Sequence, residues 1–283
     1  MQEKAEIMLE GVTVTPALWN GNGGEPILKG VSFSVRSGEW VTLIGGNGSG
    51  KSTMMKVLAG MLTKGISGMI ARQNAREASS GIIPLVLQQP DAGIIGATPW
   101  EDIVSLLERN GAEASTIIAK AEEALRSVGL EERMRQPVET LSGGQKQLTA
   151  IAGCMAVNAS ILLLDEVTSM LDPIMSREVL NGVRALHRDG SAVVWVTQKL
   201  EELRSGDRVV IMHDGEIRFD GKASELFRRD SRGEANSSIA ERYGLEPPYA
   251  VRTAWELQRE GILLEPLPLT IEELAEAVLN DEG

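Results

Sequence analysis

Val41-Thr42-Leu43-Ile44-Gly45-Gly46-Asn47-Gly48-Ser49-Gly50-Lys51-Ser52-Thr53 decides how the rest of the chain is read. Residues 45–52 fit the pattern G-x-x-x-x-G-K-[ST], between an apolar strand and a helical stretch, Lys51 to Ala59. The glycines let the backbone curl so that several N–H groups converge on phosphate oxygens. The helix N-terminus adds its positive dipole. Lys51 supplies a point charge for terminal phosphates, and Ser52 supplies a hydroxyl for Mg²⁺. Gly45, Gly46, Asn47, Gly48, Ser49, Gly50, Lys51, Ser52 and Thr53 are therefore the candidate nucleotide-phosphate site. The loop specifies neither the base nor the work that the nucleotide drives.

Working outward, short apolar runs alternate with helical patterns. Val31–Val35, Trp40–Ile44, Ile82–Leu87, Ile161–Leu164 and Ala192–Val196 are predicted strands. Helical periodicity falls at Ser115–Val128, Gly144–Val157 and Ile174–His187. The alternation predicts an α/β domain whose sheet is mostly parallel. Gln73–Gly81 reads as a loop. Pro90–Leu141 interrupts the strands and is the core of a candidate helical subdomain spanning about 90–157. Arg208–Met212 and Glu216–Phe219 read as a hairpin around His213-Asp214-Gly215. A boundary near Asp230 separates a domain over 1–230 from an acidic, helical segment over 231–283.

Ile161-Leu162-Leu163-Leu164-Asp165-Glu166 is an apolar strand that ends in two carboxylates. Asp165 can hold Mg²⁺. Glu166 can face the γ-phosphate and orient or deprotonate a water. Leu141-Ser142-Gly143-Gly144-Gln145 precedes a helix, and so offers N–H groups, a dipole and the Ser142 hydroxyl to an anion.

Bulk properties exclude other classes. The net charge is −12 and aromatics make up 4%, which suits neither phosphate-backbone binding nor base stacking, so no nucleic-acid partner is expected. Residues 231–283 carry a net charge of −7, from 11 Asp and Glu against 4 Arg. Cys154, the single cysteine, lies in an apolar run and reads as a core residue. No apolar run approaches the ~20 residues needed to span a bilayer, and the charged start lacks a signal-peptide core. The expected location is the cytoplasm, with any membrane reached through a partner.

A phosphate loop, an LSGGQ sequence at 141–145 and a following ILLLDE strand at 161–166, in that order, resemble the ATP-binding cassette (ABC) family over residues 8–230. The resemblance implies an ABC ATPase domain of the P-loop NTPase fold, with a mixed sheet, a helical subdomain and a small helical C-terminal appendage. It also implies ATP and Mg²⁺ as the bound species and a head-to-tail dimer. In that dimer Ser142, Gly143, Gly144 and Gln145 act on the ATP of the opposite subunit. By position, Gln88 resembles the Q-loop glutamine that touches Mg²⁺ and water, Asp172 the D-loop aspartate, and Trp19 the aromatic ring stacked on adenine.

The family normally has a histidine where this chain has Gln198, after Val193-Val194-Trp195-Val196-Thr197. The two histidines present, His187 and His213, lie elsewhere. An amide can position a water but cannot shuttle a proton, so this chain's own site is expected to hydrolyse ATP slowly. Asp165-Glu166-Val167-Thr168-Ser169-Met170-Leu171-Asp172-Pro173 resembles the energy-coupling-factor ATPases, which drive uptake of vitamins and of nickel or cobalt ions. Gln88-Gln89-Pro90-Asp91, Gly96-Ala97-Thr98 and Glu101-Asp102 share that likeness, although Pro99-Trp100 departs from it. So does the tail at Gly261-Ile262 and Leu267 to Leu274, which implies a dimerisation segment.

The resemblance implies three partners: a second, non-identical ABC ATPase subunit, an integral membrane coupling subunit and a substrate-binding membrane subunit. It places the chain on the cytoplasmic face of the membrane as a peripheral protein. The ATPase of another ABC importer branch and a soluble, non-transport ABC ATPase are the competing readings.

Overall fold

A computed structural model describes residues 5–16, 24–72, 83–88, 93–157, 159–229 and 237–281. The central sheet has six strands: β3 (Trp40–Ile44), β5 (Leu85–Val86), β6 (Ile161–Asp165), β7 (Ala192–Val196), β8 (Arg208–His213) and β9 (Glu216–Lys222). Their order is β5-β6-β7-β3-β8-β9, with β9 antiparallel to β8 and the others parallel. Every residue of β3, β6 and β7 is buried, which explains why these strands read as unbroken apolar runs. The order sets the C-terminal ends of β6, β7 and β3 side by side. Such ends are where open α/β sheets bind their ligands.

A second sheet was not legible from the sequence. β1 (Ala5–Val14), β2 (Leu28–Arg36) and β4 (Ile66–Arg72) form an antiparallel sheet in the order β2-β1-β4. Irregular pairing between Leu9 and Val12 breaks the alternation that would have marked β1. Gly11 and Gly68 meet at this point: a Cβ on Gly68 would lie 2.6 Å from the Gly11 carbonyl oxygen. The sheet buries Ile7, Leu9, Val12, Val31, Phe33 and Val35 against Met54, Met55 and Leu58 of α1 (Lys51–Ala59).

Two strand expectations need adjusting. Within Ile82–Leu87 the described strand is Leu85–Val86 alone; Pro84 has no N–H for the ladder, and its carbonyl accepts from Leu163 N at 3.3 Å. The hairpin turn is two residues rather than three. His213 pairs with Glu216, leaving Asp214 (φ 50°) and Gly215 (φ 80°) as a left-handed turn.

The other face of the central sheet is covered by α2 (Pro99–Arg109), α3 (Ala114–Ser127), α4 (Gly143–Ala156) and α5 (Pro173–Arg188). Ile103, Leu107, Ala121, Leu125, Ile151 and Cys154 share one core with Val179, Val183, Leu164 and Trp195. Burial pushes the Cys154 thiol up to about 12, so it stays protonated and inert. Pro99-Trp100 acquires a local reason. Thr98 caps α2 by accepting from Glu101 N, and Pro99 occupies the first helical turn, where a missing N–H costs nothing. Trp100 lies under the Arg135 guanidinium, 3.6 Å from ring centroid to Cζ.

The C-terminal segment adds α7 (Ile239–Arg242), α8 (Tyr249–Arg259) and α9 (Ile271–Asp281), after the short α6 (Ala223–Leu226). Ala240, Val251, Trp255 and Leu269 join Ile44, Leu203, Val209, Ile211 and Phe227 in a third core, so the segment packs directly on the β8 side of the sheet. Arg229 ties it down. Its guanidinium pairs with Glu241 and stacks 3.5 Å over the Trp255 ring. The hydrogen bond from Arg229 holds the Glu241 carboxyl well below its ordinary 4.5, at about 2.

A depressed carboxylate stabilises the fold above its unfolded value and loses that contribution as pH falls through its folded one. The urea stability followed by Trp255 fluorescence is therefore expected to carry a component that is lost as pH falls from 4.5 to about 2. Glu241→Gln should remove that component. An unchanged acid transition in Glu241→Gln would assign it to another group.

Candidate active site

The phosphate loop hangs between β3 and α1 in a conformation that side chains would block. Gly45 has φ 150°, and a Cβ there would lie 2.2 Å from the Met212 carbonyl oxygen. Gly50, in the left-handed region at φ 102°, precedes α1 and gives it no side-chain cap. The first-turn N–H groups are thus left for an anion. The hairpin turn braces the loop: Gly215 N donates to the Ser49 carbonyl at 3.1 Å, and Lys29 N donates to the Gly215 carbonyl at 2.9 Å.

Lys51 is buried and folds back over its own loop, donating to the carbonyls of Gly45 (2.8 Å) and Gly46 (3.0 Å). Burial lowers its pKa, against the opposing pull of Glu166 and Asp165. Its Nζ lies 3.9 Å from Glu166 Oε1.

Asp165 closes β6, and burial raises its carboxyl pKa, with a hydrogen bond from Ser52 opposing the shift. Its Oδ1 is buried without a hydrogen-bond partner. An orphaned carboxylate oxygen beside a serine hydroxyl and the phosphate loop is a hard-oxygen donor set that fits Mg²⁺. Glu166 follows with φ 50°, unusual for a non-glycine residue. Its N–H is held by the Val196 carbonyl at 3.1 Å. That bond joins the ends of β6 and β7.

Gln198 sits just past β7. Its Nε2 donates to Glu166 Oε1 at 2.8 Å and to Asn47 Oδ1 at 3.1 Å. One amide thus bridges the carboxylate and the phosphate loop. Neither histidine is nearby in the bonding pattern. His187 Nε2 meets the Gly38 carbonyl at 3.0 Å, and His213 pairs with its neighbour Asp214 at 3.5 Å. An open cleft of about 740 Å³ adjoins Gly45, Gly46 and Gln198, and Tyr243, Tyr249 and Arg252 of the C-terminal segment form its far wall.

Other candidates lie one step out. Gln88 Nε2 donates to Ser169 Oγ at 3.2 Å, and Ser169 Oγ donates to the Glu166 carbonyl at 2.8 Å, so Gln88 reaches Glu166 through one hydroxyl. Asp172 caps α5, accepting from Ile174 N and Met175 N at 2.9 Å each. Ser142 and Gln145 form a reciprocal capping box at the start of α4, at 3.3 and 3.0 Å. The S-x-x-Q spacing carries that signal, and the helix begins at Gly143, where Gly144 packs close to Leu171. Trp19 lies outside the described residues.

Parallel strands ending in a phosphate loop, an acidic pair and an amide define a nucleoside-triphosphate hydrolase. A family profile described as ABC transporter matches residues 28–169. Three energy-coupling factor transporter ATP-binding proteins named EcfA1 match along most of their length. The one from Geobacillus kaustophilus is 37% identical over 261 residues, 90% of this chain and 91% of that protein. The one from Symbiobacterium thermophilum is 37% identical over 282 residues, 96% of each. The one from Bacillus subtilis is 36% identical over 253 residues, 87% of this chain and 88% of that protein.

Among solved structures, cbiO1 from Clostridium perfringens, part of the ABC transporter complex cbiONQ, superposes with a TM-score of 0.69. It is 26% identical and covers 92% of this chain and 98% of its own. The post-hydrolysis dimer of the ATP-binding cassette MJ0796, bound to ADP and Pi, gives a TM-score of 0.66 at 28% identity, over 77% of this chain and 98% of its own. The chain belongs to the ABC transporter family, among the ATP-binding proteins of energy-coupling factor transporters. It is an ATP-binding and ATP-hydrolysing enzyme.

Proposed function

We propose that this chain drives a membrane importer of vitamins or transition-metal ions, with its own ATP site the slower of two. The observation that carries the slower-site reading is the Gln198 amide bonded to Glu166. It stands where a proton-carrying imidazole is the family's usual group.

In this reading Lys51 leaves the carbonyls of Gly45 and Gly46 for the terminal phosphates. Asp165 and Ser52, with Gln88, would hold Mg²⁺, and the ion would supply positive charge that offsets the phosphate oxygens. Glu166 accepts a proton from the attacking water as the water oxygen bonds to the γ-phosphorus and the bond to the bridging oxygen breaks. Gln198 spends both amide N–H groups on Glu166 and Asn47, leaving its carbonyl oxygen to orient the water. It can fix the carboxylate and the water but adds no proton relay, a contribution worth ~10²–10⁴-fold when present.

The partner is a second, non-identical cassette whose LSGGQ segment completes the site, as Ser142 to Gln145 here complete the partner's. Exposed Ile262, Leu263, Ile271 and Leu279 on the C-terminal segment support its role in dimerisation. No helix among the described residues is long and apolar enough to cross a membrane. In this reading the chain attaches at the cytoplasmic face of the membrane through a coupling subunit.

In an assembled complex whose other site is disabled, Gln198→His is expected to raise ATP turnover by roughly tenfold or more. If turnover does not change while Glu166→Gln abolishes it, the slower-site reading is wrong. Co-purification from detergent of a second ATPase subunit and two integral membrane subunits tests the assembly. Recovery of a homodimer free of membrane subunits would count against it.

A further inference from the structure

We propose that Lys199 is a positioning residue for ATP hydrolysis, fastening the Gln198 segment to the loop that follows Glu166. This inference rests on the roles proposed above for Glu166 and Gln198. Lys199 follows Gln198 in the chain but turns away from the catalytic carboxylate. Its Nζ donates to the Thr168 carbonyl at 2.7 Å and to Ser176 Oγ at 3.1 Å. Both acceptors are neutral, and both belong to the stretch running from Glu166 through Asp172 into α5.

A second fastener lies alongside. The buried Glu202 carboxylate accepts from Thr168 Oγ1 at 2.7 Å and from Trp195 Nε1 at 2.9 Å. Thr168 is therefore gripped twice from the segment after β7, at its carbonyl by Lys199 and at its hydroxyl by Glu202. Charge-assisted hydrogen bonds of this kind are roughly twice as strong as neutral ones.

The geometry explains what the grip is for. Glu166 and Gln198 sit on different loops, each partly exposed, and must hold a 2.8 Å contact between side chains. Behind Gln198 the backbone is pinned at Thr197, whose N–H reaches the Leu43 carbonyl at 3.3 Å. Ahead of it, the Lys199 backbone N–H is held by Thr197 Oγ1 at 2.9 Å, and the Lys199 ammonium is the first side-chain anchor. The loop it anchors carries exposed Met170 and ends at Asp172, the N-cap of α5, whose first turn exposes Ile174. Movement of that loop is thereby passed to the amide. A displacement of ~1 Å in a catalytic group can cost 10²-fold.

The test is a double-mutant cycle on the assembled complex with its other ATP site disabled, with kcat, KM for ATP and the unfolding midpoint measured for each variant. Lys199→Met should lower kcat by about tenfold and leave KM unchanged, at a temperature below an unfolding midpoint that falls with the two lost hydrogen bonds. In a Gln198→Ala background it should cause no further loss, because the group it positions is gone. Equal losses in both backgrounds, or an unchanged kcat in the single variant, overturn the proposal. If Gln198→Ala alone leaves kcat unaltered, the site reading falls first and the inference falls with it. Should Lys199→Met fail to fold, Ser176→Ala removes one acceptor of the same ammonium and runs through the same cycle. It is judged by the same criterion, a kcat loss present with Gln198 and absent without it.

Discussion

Glu166→Gln is expected to lower ATP turnover at this site by ~10²-fold or more and to leave ATP affinity within a few-fold. The substitution keeps the shape, and a glutamine tolerates the φ of 50° as well as a glutamate does. The contact with Gln198 survives if the new amide turns its oxygen toward Nε2, now 2.8 Å from Oε1. What is lost is an acceptor basic enough to take a proton from water. A smaller electrostatic change goes with it, because the carboxylate at 3.9 Å no longer offsets the Lys51 charge. Lys51 is thereby freed for phosphate, which protects affinity. Turnover and equilibrium ATP binding, measured in a complex whose other site is disabled, check both halves. Turnover close to that of the parent chain would place the base elsewhere.

Arg184→Ala is expected to destabilise the folded chain by ~3–5 kcal/mol, the usual cost of leaving one member of a buried ion pair alone. Arg184 and Asp207 are both buried and form a two-pronged contact, with Nη1 to Oδ1 at 2.7 Å and Nη2 to Oδ2. The guanidinium also lies 3.5 Å over the Trp40 ring. Removing it opens a void beside Trp40 and leaves Asp207 with the Arg204 N–H, 2.9 Å away, as its described hydrogen-bond partner. Arg184→Met with Asp207→Leu should recover most of the loss, because the desolvation cost goes with the charges. Urea midpoints for the single and double variants decide it. A loss below ~1 kcal/mol in the single variant would mean that water replaces the guanidinium.

Much of the site was legible because its chemistry is local. Gly45 to Ser52, Asp165-Glu166 and Ser142 to Gln145 are contiguous stretches whose spacing fixes their geometry. The fully buried strands announced themselves by composition. The parts that were not legible depend on distant pairings. β1 and β4 meet across 50 residues or more, and Gly11 and Gly68 make sense once they face one another. The links from Thr168 to Lys199 and Glu202 likewise join residues that no local pattern connects. Asn47 reads from the sequence as one residue of the phosphate loop, and its contact with Gln198 is another link that no local pattern connects.

The hairpin tip at Asp214 and Gly215 changes how this surface can be engineered. Hairpin tips are ordinarily forgiving places for an inserted tag or a lengthened loop. Here the tip is a strut, joined to Ser49 on one side and to Lys29 on the other, and a Cβ on Gly215 would lie 2.3 Å from the Ile27 carbonyl oxygen. A graft at this outwardly innocuous bend would be felt in the nucleotide cradle.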